Sequence, residues 1–572
     1  IIWALFKTMD VLKSLSTYVT RIINHRSING MRVLILDDFT TQVVSMTTSL
    51  SDVLGSQVFL VELLANAVNR TETMTHLTAI LFLRPTAENI AFLVRELASP
   101  KFKEYHVFFS NVVSASHMIQ SIADADEFGV IRQIQEYYAD VIPIDSSLFS
   151  LNSQRLLTST VGRSAGAILS VFLSLKIRPS NIRFTLCSPS TRALASEVAG
   201  RLASDDIYDY QESPVLIILD RKSDPVTPLL SQWTYQAMIH ELLGLNNGRV
   251  MLPDTPDGEV TMSARDDVFF DENKYQNFGD LGGEIRDLMQ KFASEHRVRT
   301  DVKSLDDMRT FMDKYPAFRA QSSRVSKHVT ITSELSRLVE TCNLFDISAL
   351  EQDLACQDDH NKQYRELVDM MGSDISFVDK LRLGLLYTLR FETSADLPRL
   401  KALMIEGGVP KPQVDLIDKL ILYAGQAQRP PGLFTEHKGL FGRIKKNLHV
   451  GVAGVKNVYT QHTPLMAKVV DSLFKGNINE MQYPLLGEIG GNKGGRNNET
   501  GAEDRRGGRG GNNNGTPCPN VVVWMMGGTT YEESAHVHAL NNSGDGVKIL
   551  LGGSCVHNST SFLREVSVAP IR

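Results

Sequence analysis

The chain reads as an α/β protein in which two parallel-sheet domains are accompanied by a large, mainly helical third domain inserted into the second. Three features of its 572 residues predict this. Short apolar runs alternate with helical patterns through the first 145 residues, the rhythm of a parallel, doubly wound sheet. A second set of such runs opens at Val215. It resumes only beyond residue 520, and residues 255 to 480 in between carry mainly helical periodicity.

Taken in order, Met9 precedes a helix over 10–23, and residues 1–8 read as an upstream extension or a gene-model artefact. The strand-like runs of the first domain are Val33–Leu36, Val58–Val61, Ala79–Leu83, His106–Phe109 and Val141–Ile144. Val215–Leu219 then starts the second sheet. A helix from about Leu229 to Leu243 follows and stops at Gly244, the residue best suited to end a helix. Val521–Met526 and Val547–Leu551 complete the sheet, each run leading into a Gly-Gly pair. The expected domains are therefore 1–145, the discontinuous 146–252 with 479–572, and the helical 253–478. Residues 487–520 are rich in Gly, Asn and Arg and nearly free of apolar side chains, so they read as a disordered loop.

The formal charge of -6 supplies no general basic field for nucleic acid or anionic lipid. Five cysteines, Cys187, Cys342, Cys356, Cys518 and Cys555, are scattered and never in C-x-x-C spacing, which predicts a reducing cytosol and no disulfide framework. No apolar run approaches the ~20 residues that cross a bilayer. Membrane contact is expected only through partners.

Reactive-site signals are weak. Gly162-Arg-Ser164-Ala-Gly166 matches the G-x-S-x-G elbow of α/β hydrolases, but a helical pattern surrounds it and no oxyanion loop accompanies it. A serine hydrolase using Ser164 is the alternative to a binding scaffold. Gly527-Gly528 and Gly552-Gly553 never extend to a phosphate-loop motif, and Asp37-Asp38 lacks the partner aspartate of a receiver domain. His536-x-His538 and Cys555-x-His557 could supply four zinc ligands, yet i and i+2 diverge by about 200° on a helix. No metal and no cofactor are expected. Lys438, Arg443, Lys445 and Lys446 read as a solvated basic face.

Three longer segments carry more information. Leu216-Ile-Ile-Leu-Asp220-Arg221-Lys-Ser-Asp224-Pro225-Val-Thr-Pro228-Leu-Leu-Ser-Gln-Trp233-Thr234-Tyr235-Gln236-Ala237-Met238 closely resembles the signature of the SM (Sec/Munc-type) family of SNARE regulators. Ser348-Ala-Leu350-Glu351-Gln-Asp-Leu354-Ala355 is similar to the family's E-Q-x-L-A element. Gly527-Gly-Thr-Thr-Tyr531-Glu532, with Leu551-Gly-Gly553 and Ser561-Phe-Leu563, is a third match. The resemblance implies an SM-type arch and a non-enzymatic protein that binds a syntaxin-type (Qa) SNARE and templates SNARE complex assembly, the vesicle SNARE included. It also implies a monomer, peripheral on endosomal, trans-Golgi and vacuolar-pathway membranes through its partners.

It further implies two surfaces. A pocket on the first domain for the SNARE's N-terminal peptide maps to a helix Val130–Glu136, with Ile131 and Ile134 on one face, Glu136 beside them, and Met118 and Ile119 as floor. A templating helical hairpin over Ser333–Gln357 maps to Leu335, Leu338, Leu350, Glu351 and Leu354. Ser348 with Glu351 reads as the capping box that fixes its turn. Asp220, Arg221, Asp224, Pro228, Thr234, Tyr235 and Gln236 have a structural reading, since a charged strand end and prolines before a helix make a sharp turn.

Overall fold

The computed structural model describes residues 9–113, 115–153, 160–203, 213–252, 258–297, 305–434, 459–487, 520–543 and 546–569. The extension before Met9, residues 488–519 of the loop, and the basic run at 438–446 lie outside the described residues.

In the first domain β1 (Arg32–Leu36), β2 (Val58–Leu63), β3 (Met74–Leu83), β4 (Phe102–Phe109) and β5 (Ile131–Glu136) form a parallel sheet in the order β2-β1-β3-β4-β5. Four strands contain the predicted apolar runs. The fifth does not: Ile142–Pro143 pairs antiparallel with Leu148–Ser150 and belongs to the second sheet. The true fifth strand is the segment read as helix. Its isoleucines are three apart because the register with β4 slips, Tyr105 facing Ile131 but His106 facing Gln133. The extra residue, Arg132, returns Ile131 and Ile134 to the same face, so a bulged strand imitates helical spacing.

Side-chain alternation gives this sheet two different faces. Leu34, Leu36, Ile80, Phe82 and Phe108 share a core with Phe149, Phe172, Leu216 and Trp524 of the second domain. Val33, Ile35, Leu81, Val107 and Phe109 pack on the opposite side, away from that junction. At the topological switch point between β1 and β3, Asp37 caps the helix Asp38–Thr47 in a reciprocal box with Thr40. Its other oxygen accepts from Arg84 N and from Asn89 Nδ2, both at 2.6 Å. The crevice where such folds bind ligands is filled by the protein's own groups. Asp37→Ala is expected to cost about 1–3 kcal/mol through the lost cap and stranded donors, read as a lower Tm in thermal unfolding.

The second sheet comprises β6 (Ile142–Pro143), β7 (Leu148–Ser150), β8 (Asn181–Phe184), β9 (Val215–Asp220), β10 (Val521–Met526) and β11 (Ile549–Gly553), ordered β6-β7-β11-β10-β9-β8. β7 and β8 carried no sequence signal because they are three and four residues long. The chain leaves this sheet after β9 and returns earlier than expected. Met466, Val469 and Val470 of the helix Leu465–Phe474 already pack with Val521 and Val523, so the α/β domain resumes near 465 rather than 479.

The expected helix Leu229–Leu243 is also shorter. Thr227–Leu229 is a 3-10 turn containing Pro228, and the helix begins only at Tyr235. It ends in a wider turn, Ile239–Leu243, where Gly244 takes φ +83°, as anticipated for its stop. The inserted domain that follows is helical, its longest elements being Phe278–Arg297 and Leu305–Thr341.

Candidate functional site

The helix Ser116–Ala125 packs through Ile122, which is fully buried. Met118 lies half-buried against the same outer core as Val113, Ile131 and Ile134. Ile119, Val112 and Phe128 are exposed to 36%, 44% and 63%. Met118 and Val113 thus border the isoleucines of β5, an edge strand of the sheet. Glu136, at the end of β5, is exposed and one of its oxygens accepts from Val113 N at 2.8 Å. Of the residues predicted for the peptide pocket, Met118, Ile131 and Ile134 border one core and Ile119 is exposed next to Met118; Ile131, Ile134 and Glu136 stand on a strand rather than on the helix expected for them. A sheet edge flanked by apolar side chains suits an added extended peptide, whose backbone pairs while alternate side chains enter pockets.

The second predicted surface is altered. Leu344–Cys356 begins at Asn343, which takes φ +51°, so the turn lies five residues before Ser348. Ser348 is thus mid-helix and accepts from Trp233 Nε1 at 3.0 Å; it caps nothing. Leu335, Leu350 and Leu354 are core residues, and Leu338 is half-buried. The leucine stripe faces inward because the apolar side of each helix is covered by its neighbours. Exposure at this turn falls instead to Phe345, stacked on Trp233 with ring centroids 5.2 Å apart.

The signature residues converge on a buried junction between the second sheet and the helical domain. Asp220, ending β9, accepts from Ser188 Oγ at 2.6 Å and Lys222 N at 3.0 Å. Arg221 is fully buried; it meets Glu533 at 2.5 Å and donates to Gly528 O and Asp224 O. Asp224 accepts from Thr227 and from Leu465 N. Burial works against its ionisation, yet His462 and Arg221 together hold its carboxyl below the usual range. Thr234 precedes the short helix whose Tyr235 Oη lies 2.9 Å from His328 Nδ1. His328 Nε2 in turn reaches Asp267 at 2.9 Å. Gln236 is buried, its backbone N–H donating to Lys274 O.

The E-Q-x-L-A element ties the same junction from the helical side. Glu351 accepts from Ser231 N and meets Arg382 Nη2, both at 2.6 Å. Gln352 Oε1 accepts from Gln461 N and His462 N at 2.8 and 2.7 Å. Four segments distant in sequence are thereby fixed by charge-assisted bonds in a dry interior. Sequence reading named Asp220 to Gln236 as structural but missed Glu533, Arg382 and Gln352, whose partners across the junction, Arg221, Glu351 and His462, lie 312, 31 and 110 residues away.

The catalytic candidates dissolve. Ser164 is 1% exposed within the helix Thr160–Leu175, so a substrate carbonyl has no approach to its hydroxyl. His536 and His538 lie on the helix Tyr531–Asn541 with different surroundings: His536 Nδ1 meets Glu532 O, and His538 packs on Tyr275. Among the described residues, Cys555, His557 and Glu565 do bring ligand atoms within 4.8 Å of one another.

Comparison with known proteins agrees with this geometry. Residues 32–565 match the Sec1 family. The chain is 38% identical to Vacuolar protein sorting-associated protein 45 of Dictyostelium discoideum, over 99% of this chain and 98% of that protein. It is 37% identical to the Homo sapiens protein of the same name, covering 98% and 96%. A solved structure of the SM protein Vps45 in complex with the Qa SNARE Tlg2 superposes with a TM-score of 0.86, at 37% identity and 98% coverage of both chains. Two α/β domains, a helical insertion and a signature buried where they meet have their explanation in that match, and this chain belongs to the Sec1 (SM) family.

Proposed function

We propose that the chain is a non-enzymatic regulator that binds a Qa SNARE and templates SNARE complex assembly for vesicle docking and fusion. The observation that carries this reading is full-length similarity, in sequence and fold, to Vps45 held with a Qa SNARE. SNARE motifs are amphipathic helices, and a scaffold that holds one in register removes part of the ordering entropy from zippering without any reactive group. Among the described residues, no helix is long and apolar enough to cross a membrane, so the SNARE is the membrane link. Vacuolar protein sorting is the setting that the relatives' names give, and endosomal and trans-Golgi membranes are the places the family resemblance implies.

Within this reading the apolar edge of β5 takes the SNARE's N-terminal peptide. Ile131, Ile134 and Met118 receive its apolar side chain, Ile119 flanks it, and Glu136 meets a basic residue. The helical domain guides the SNARE motif, with Phe345 at the turn of the Ser333–Gln357 hairpin as an exposed anchor. Calorimetric titration with the cytosolic region of an endosomal Qa SNARE tests both parts. Removing the N-terminal peptide and introducing Ile134→Arg are each expected to weaken binding by at least tenfold, since a buried apolar contact is worth about 1.5–3 kcal/mol. Unchanged affinity in Ile134→Arg would move the peptide elsewhere; no binding by any endosomal Qa SNARE would overturn the function itself.

A further inference from the structure

Where the central sheet ends against the helical domain, β10 leads into Gly527-Gly528. The two-residue strand Val556–His557 pairs there with Thr529–Thr530. Strand geometry points residues i and i+2 to one side, so Cys555 and His557 converge where His536 and His538 diverge. The helix Ser559–Val568 then turns Glu565 back onto them. Cys555 Sγ lies 3.4 Å from His557 Nε2, and His557 Nε2 lies 3.2 Å from Glu565 Oε2. All three residues are at least 95% buried.

We propose that Cys555, His557 and Glu565 form a structural zinc site that staples the C-terminal helix to the end of the central sheet. Four observations support it. First, zinc–ligand bonds of about 2.0–2.3 Å at the tetrahedral angle give edges of roughly 3.3–3.6 Å, close to the two separations that involve His557, and the Cys555–Glu565 separation is within 4.8 Å. Second, His557 Nδ1 meets Ser561 Oγ at 3.0 Å, which leaves Nε2 turned toward the sulfur and the carboxylate, the second contact that ligating imidazoles use. Third, the other carboxylate oxygen, Glu565 Oε1, is buried with no hydrogen-bond partner, a costly state that a cation held by both oxygens of the carboxylate relieves. Fourth, a thiolate, a carboxylate and a neutral imidazole balance a dication, leaving no net charge in the interior.

The glycine pair belongs to the same construction. A Cβ on Gly528 would stand 2.5 Å from the His557 ring and 2.7 Å from Cys555 Sγ, and its φ is +91°. Only glycine lets the backbone come this close. His557 Nε2 donates to the Gly527 carbonyl at 2.6 Å, a hydrogen bond that zinc at Nε2 would displace, so the protein supplies three ligands and the fourth position is left to water. Mixed S, N and O donors in this number select zinc over magnesium or calcium. The metal would hold Phe562, Leu563 and Val566, which seal the helical core, to the sheet that carries Arg221.

Metal analysis of the full-length protein, produced with added zinc and desalted, tests the site. About one zinc per chain is expected, falling at least tenfold in Cys555→Ser and Glu565→Gln and unchanged in Cys187→Ser, whose thiol is exposed elsewhere. Cobalt exchange is expected to give a tetrahedral spectrum with a thiolate charge-transfer band that Cys555→Ser abolishes. Circular dichroism and gel filtration establish that each variant is folded. Folded wild-type protein with neither zinc nor a cobalt–thiolate band would overturn the proposal and leave a buried His557–Glu565 ion pair only. Zinc retained by both folded variants would overturn it equally.

Discussion

Glu533→Ala is expected to destabilise the protein by about 3–5 kcal/mol, a loss expected of breaking a fully buried ion pair from one side. Arg221 and Glu533 are both 0% exposed, and their 2.5 Å contact joins the end of β9 to the helix Tyr531–Asn541 across 312 residues of sequence. The guanidinium keeps its charge at any ordinary pH. Without the Glu533 carboxylate it would keep only the carbonyls of Gly528 and Asp224 as hydrogen-bond partners, with the Asp224 carboxylate as its remaining counter-charge. Replacing both partners, Arg221→Met with Glu533→Leu, is expected to recover a large part of the loss, because no charge is then left stranded. The midpoint of the first urea transition, compared across Arg221→Met, Glu533→Leu and the double variant, measures this coupling. Equal midpoints in Glu533→Ala and wild type would mean that water reaches Arg221.

Arg382→Leu is expected to cost a similar 3–5 kcal/mol by stranding the acceptors around it. This guanidinium bonds to Glu351, Asp379, Leu229 O and Ser231 Oγ, and so locks the E-Q-x-L-A helix to the signature loop. Glu351 supplies a second, pH-dependent readout. Burial pushes its carboxyl up to about 7, against the pull of Arg382 and the Ser231 amide. A folded pKa above the ordinary 4.5 means that the protein holds this proton more tightly when folded. The associated stability is complete below about pH 4.5 and is lost as pH rises through 7. Wild type is therefore expected to lose up to roughly 3 kcal/mol relative to Glu351→Gln between those values. Parallel pH profiles of the two urea midpoints would show that Glu351 stays ionised throughout.

These effects bear on function because the junction sets how the helical domain stands on the α/β domains. A SNARE template works by pre-organisation, so its gain depends on holding its surfaces in a fixed relation. Loosening Arg221 or Arg382 is expected to weaken templating without touching a SNARE contact.

Much of this was legible in the sequence. Val33–Leu36, Ala79–Leu83, Val215–Leu219 and Val521–Met526 are long apolar runs buried on both faces, and such runs declare parallel strands without help. The signature from Leu216 to Met238 and its companions identified the family, and the prolines and charged strand end in it announced a structural turn. Three things were settled only by tertiary structure. Ile131 and Ile134 imitate a helix because a bulge opposite β4 shifts their register, and a bulge is a property of two strands. Ser348 and Glu351 have the spacing of a capping box, but Trp233 and Arg382 claim them, from 115 and 31 residues away. Glu565 joins Cys555 and His557 only because a helix folds back over the sheet end. Local patterns report the free energy of a segment against water; a buried polar group is decided by whichever partner the fold delivers, and sequence spacing carries no record of that.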